Sequence, residues 1–90
     1  MTNLLEADEE LRQICREITS YELSEDDWAA RESDDMFQSS HYCGGFDADE
    51  RAFCFSYYSS DPEQWFQLSL AEVAALSAGG RVHIGMRVAG

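Results

Sequence analysis

His41 and Cys43 stand two residues apart, the separation that puts two side chains on one face of a strand. An even turn centred between Ala48 and Asp49 places Cys43 directly across from Cys54 on the following strand. An imidazole and two thiols on one patch are three possible zinc ligands, and a fourth would have to come from elsewhere. The same two thiols could close a cross-strand disulfide. The spacing matches no C-x₂-C or H-x₃-H frame, however, and facing cysteines on paired strands are commonly buried thiols or chance neighbours. With Cys15 the thiols number three, an odd count and a poor disulfide framework. The expectation is reduced cysteines in a reducing compartment, with no metal and no cofactor.

Nucleophilic chemistry fares no better. A thiol–imidazole pair of Cys43 or Cys54 with His41 is conceivable. Acidic surroundings push a thiol pKa up, the wrong direction for a nucleophile. No G-x-S-x-G, H-E-x-x-H or P-loop pattern occurs. Gly44-Gly45 is too short to cradle a phosphate and reads as a bulge or a close backbone approach. His83 falls between Arg81 and Arg87 on the polar side of a strand, a solvated position. The chain is read as a non-enzyme with no catalytic residues.

Charge is the sharp signal. The 90 residues hold 18 acids against six bases, a formal charge of −12. Fifteen of the acids and three of the arginines lie in residues 1–50, so that half carries the whole excess. All six bases are arginine, which a GC-rich coding genome explains. Nucleic-acid phosphates and anionic lipid would be repelled as direct ligands. A basic protein would be attracted and oriented. A body about 30 Å across spans duplex DNA carrying about 18 phosphates, so twelve net charges come within a factor of two of that density.

Trp28 stands among Glu25, Asp26, Asp27, Glu32, Asp34 and Asp35, with Met36 and Phe37 just after. Large aromatics beside charge have the composition of an interface anchor with a steering rim. Roofing the core is the competing role for both rings. Carboxylates three or four residues apart on a helix, such as Glu32 and Asp35, are about 5–6 Å apart, close to the phosphate step of a DNA strand. A second aromatic group, including Tyr42, Phe53, Phe55, Tyr57, Tyr58, Trp65 and Phe66, crowds the later segments. Base stacking on it fails for want of positive charge to hold phosphates.

These residues need a frame. Asn3 with Glu6 reads as a capping box, and Leu4, Ala7, Leu11, Ile14, Cys15 and Ile18 recur at helical steps, predicting a helix over 4–18. Asp8 and Arg12 make an i,i+4 pair on it. Ser24 with Asp27 signals a short acidic helix over 25–32, followed by a loop. From Gln38 the period becomes two: strands over 41–46, 51–59 and 64–70, with a turn at Asp61-Pro62-Glu63. Ser69 with Glu72 caps a helix that Gly79-Gly80 ends. A last strand over 81–88 turns Val82, Ile84, Met86 and Val88 inward. The expected fold is α+β, a single two-layer domain over residues 1–90. It has an antiparallel sheet of about four strands, an N-terminal helix and a second helix before the last strand.

No apolar run reaches about 18 residues and the N-terminus lacks a basic start, so a cytoplasmic protein is expected. The leading functional expectation is a small inhibitory binding protein that blocks a basic, nucleic-acid-binding surface on a nuclease or similar partner. A phage anti-CRISPR-like nucleic-acid mimic and a toxin immunity protein fit equally, by size and acidity alone. Glu22, Glu25, Asp26, Asp27, Glu32, Asp34 and Asp35 would engage the partner's bases, with Trp28 and Phe37 as apolar anchor. The alternative is an adaptor or assembly subunit binding through a sheet edge, exposed aromatics, Arg81, His83 and Arg87.

Overall fold

A computed structural model describes residues 4–5, 9–31, 36–57, 63–85 and 87–88. The elements run β1 (Leu4–Leu5), α1 (Glu9–Thr19), α2 (Glu25–Ala30), β2 (Phe37–Gln38), β3 (Tyr42–Asp47), β4 (Ala52–Tyr57), β5 (Gln64–Leu68), α3 (Leu70–Ser77), β6 (Ile84–Gly85) and β7 (Arg87–Val88). The main sheet is antiparallel in the order β2-β3-β4-β5-β7, and β1 pairs separately with β6. The fold is α+β, as the patterning predicts, within a body of 34 × 28 × 23 Å.

Period-two alternation sorts the sheet into two faces. Tyr42, Gly44 and Phe46 pair with Tyr57, Phe55 and Phe53, and Phe66 and Leu68 extend the same face on β5. Leu11, Ile14, Cys15 and Ile18 of α1 pack into this face together with Val73 and Leu76 of α3. Each such side chain contributes about 1.5–3 kcal/mol by leaving water. The two helices are tied directly: Arg12 Nη1 donates to the Leu76 carbonyl at 2.9 Å, and the Thr19 and Ser77 hydroxyls meet at 3.3 Å. Capping boxes start α2 at Ser24 and α3 at Ser69, and Gly79 follows α3 at φ 89°.

Four expectations change. Leu4 and Leu5, expected to open or adjoin the first helix, instead pair with Gly85 and Ile84 and so spend their backbone groups in a ladder, and the described helix is Glu9–Thr19. The Asn3–Glu6 cap, Ala7 and the Asp8–Arg12 pair lie outside the described residues, as do Tyr58, the turn at Pro62, and the side chains of Leu4, Met86 and Val88. A short strand, β2, adds to the sheet beside β3. The final strand divides, β6 pairing with β1 and β7 with β5.

The fourth change is register. Cys43 pairs with Ser56, and Cys54 with Gly45, two residues away from the expected alignment. The loop comprises residues 48–51, held by Asp47 Oδ1, which accepts from the Asp49 and Glu50 amides at 2.9 and 3.2 Å. Arg51 closes it at φ 52°. Gly44 explains the choice: a Cβ there would lie 2.8 Å from the Phe55 ring and 2.0 Å from the Cys54 carbonyl oxygen. The glycine lets the Phe55 ring and the β4 backbone close against β3. A slip of two keeps every residue on its own face, so Phe53, Phe55 and Tyr57 still point inward.

Candidate acidic interface

The reciprocal bonds of the second helix's cap fix the acids that follow it. Ser24 Oγ accepts from the Asp27 amide at 3.1 Å, and Asp27 Oδ2 accepts from the Ser24 amide at 3.2 Å. Glu25, Asp26 and Asp27 therefore occupy the first turn, where the positive end of the helix dipole favours them. Trp28, one residue on, points the other way and is 3% exposed. Its ring stacks on Phe46 at 6.3 Å and meets Phe53 edge-on at 5.2 Å. This aromatic dock holds α2 beside the β3–β4 turn.

The result is a junction of two acidic segments that are distant in sequence. Arg51 bridges them, Nε donating to Glu25 Oε1 and Nη2 to Asp26 Oδ1, both at 2.6 Å. Those bonds raise the guanidinium pKa above its ordinary value, Glu25 contributing most. Glu25 and Asp26 of α2 thus share the guanidinium of Arg51, which stands at the end of the turn that carries Asp47, Asp49 and Glu50. Asp49, Glu50 and Glu22 make no ion pair among the described residues. Glu22 sits where the chain leaves α1, at φ 54°.

The expected anchor needs correction. Phe37, like Trp28, is 3% exposed, and the two rings pack against each other at 6.1 Å. Both roof the core, because a six-residue helix can be held against the sheet only by burying its one large side chain. The exposed apolar groups here are Tyr21 at 44% and Met36 at 63%. Tyr21 leans on Trp28 and Phe37 at 5.4 and 5.9 Å, and the Arg31 guanidinium lies 5.6 Å from the Tyr21 ring and 5.3 Å from the Trp28 ring. The adjacency of Tyr21 to Glu22, just past an amphipathic helix, was the available sequence signal for this aromatic. Glu32, Asp34 and Asp35 lie outside the described residues. Trp28 Nε1 is buried and has no acceptor among the described residues.

His41 does not join the cysteines. Its backbone amide donates to Glu10 Oε1 and its Nδ1 lies against Glu10 Oε2, each at 2.8 Å. Glu10 thereby clips α1 to the turn before β3. Hydrogen bonds from Ser39 and then His41 hold its carboxyl far below the usual range, at about 2. Cys15 is fully buried and desolvation pushes its thiol up to about 11, while burial also raises Cys54. All three cysteines are free thiols. Among the described residues no group of three or more His, Cys, Asp or Glu could hold a metal ion, and no helix is long and apolar enough to cross a membrane. No protein-family model, curated protein or solved structure matches the chain.

Proposed function

We propose that the chain is a small inhibitory binding protein whose acidic end covers a basic, nucleic-acid-binding surface of a partner protein. The observation that carries this reading is the junction through Arg51, which ties the acidic first turn of α2 to the β3–β4 turn, itself bearing Asp47, Asp49 and Glu50. Two short acidic segments become one negative end, and such an end speeds encounter and fixes orientation. Tyr21 and Met36 supply the apolar contact that Trp28 and Phe37 cannot. The partner is a cationic protein, a nuclease by preference, in either a phage-inhibitor or a toxin-immunity setting. A −12 chain is a poor ligand for DNA itself.

The test is capture from a nuclease-containing lysate on immobilised protein, followed by DNA-cleavage assays of the captured material with and without added protein. Capture should weaken steeply from low to physiological salt, as the screening length contracts to about 8–10 Å. The triple reversal Asp26→Lys, Asp49→Lys and Glu50→Lys should abolish both capture and inhibition while the circular dichroism stays unchanged. Undiminished inhibition by the reversed protein sinks the proposal.

A further inference from the structure

We propose that Cys43 and Cys54 form a two-thiolate site for a soft monovalent metal ion, copper(I) in class, on the sheet face opposite the helices. The register supplies the geometry. Cys43 pairs with Ser56 and Cys54 with Gly45, so the cysteines occupy diagonal positions on neighbouring strands and share one face. Both are partly exposed, and within the β3–β4 pair each faces a small residue, Ser56 or Gly45. The helices pack on the other face, against Phe53, Phe55 and Phe66.

Diagonal neighbours are about 7–8 Å apart, with Cβ atoms somewhat closer. A disulfide requires Cβ atoms about 3.5–4.5 Å apart, so this register does not suit one. A linear sulfur–metal–sulfur bridge inserts two bonds of about 2.3 Å each, taking the zinc–thiolate length as a guide, and reaches across the wider gap. Zinc is a poor fit, since it takes four ligands and the candidate third, His41, is committed to Glu10. Soft thiolates in low coordination number select copper(I). Gln67, paired with Cys54 across β4 and β5, points its Nε2 at the Cys54 sulfur from 3.6 Å. A donor in that place supports negative charge on sulfur and orients the ligand, as outer-shell groups do. Binding is a simple exchange: two thiols lose two protons and one M⁺ enters, giving a bis-thiolate of charge −1 with no change of oxidation state. Cys15 takes no part, being sealed in the core on α1.

The experiment is an anaerobic titration of the full chain with copper(I) against a bicinchoninate competitor, with stoichiometry read by native mass spectrometry. The wild type and Cys15→Ser should each retain one ion per chain. Cys43→Ser and Cys54→Ser should each lose about 10²–10⁴ in affinity, the advantage of a second tethered ligand. Circular dichroism checks each fold, and Cys43→Ala and Cys54→Ala repeat the measurement where a serine unfolds the chain. Retained affinity in either single variant, or a loss confined to Cys15→Ser, overturns the site. So does ready closure of a native-folded Cys43–Cys54 disulfide by oxidised glutathione, because that places the sulfurs too close for the bridge.

Discussion

Gly44→Ala tests the strand register on which both proposed sites depend. The added Cβ would stand 2.0 Å from the Cys54 carbonyl oxygen, 2.8 Å from the Phe55 Cα and 2.8 Å from its ring. Two of those three atoms belong to backbone, so rotating a side chain cannot relieve the clash. Relief requires β3 and β4 to part by roughly 1 Å, a large fraction of the 4.8 Å strand spacing. Overpacking of this kind costs about 1–3 kcal/mol, and a backbone obstacle belongs at the upper end. Alanine's advantage over glycine within a strand returns at most about 1 kcal/mol. A net loss of about 2 kcal/mol lowers the melting temperature of a domain this size by roughly 8–16 °C. Urea melts followed by circular dichroism give the number, with Gly85→Ala as control, since nothing lies within 4 Å of a Cβ there. A Gly44→Ala protein within about 0.5 kcal/mol of wild type, the scatter of harmless surface changes, would refute the register.

Glu10 gives a pH prediction. Its folded carboxyl sits at about 2, below the ordinary 4.5, so its stabilisation is complete above 4.5 and drains away as pH falls towards 2. Acid titration of Glu10→Gln should accordingly show a shallower loss of stability across that window than wild type. Trp28→Ala should cost about 3–5 kcal/mol in a urea melt, a core penalty, and leave the protein largely unfolded. In thiol labelling of the native protein, Cys43 should react first, Cys54 more slowly because burial raises its pKa, and Cys15 only on unfolding.

Much of the frame was legible because it rests on local rules. The stripe Leu11, Ile14, Cys15, Ile18 and the Ser24 and Ser69 caps each depend on residues within a turn or two, and they formed as read. The alternation of Phe53, Phe55 and Tyr57 sorted inside from outside for the same reason. What failed was decided at a distance. Leu4 has helical spacing to Leu11, yet a strand partner about eighty residues away wins its backbone. The turn looked symmetric about Ala48-Asp49, but the fit of Phe55 over Gly44 sets the register. Trp28 looked like an anchor because its neighbours in sequence are charged; its neighbours in space are Phe37, Phe46 and Phe53. The pairing of α2 with the β3–β4 turn through Arg51 likewise has no signature in the chain, since its members are 25 and 26 residues apart.

Among the described residues both outer strands of the main sheet, β2 and β7, are two residues long. A strand so brief offers an incoming chain one or two backbone bonds, too few to template stacking of one molecule on the next. Brevity at the margins and mutual repulsion between polyanions therefore act together against fibre growth. Near pH 4.2, where the net charge passes through zero, the repulsion vanishes and leaves the blunt margins as the remaining guard.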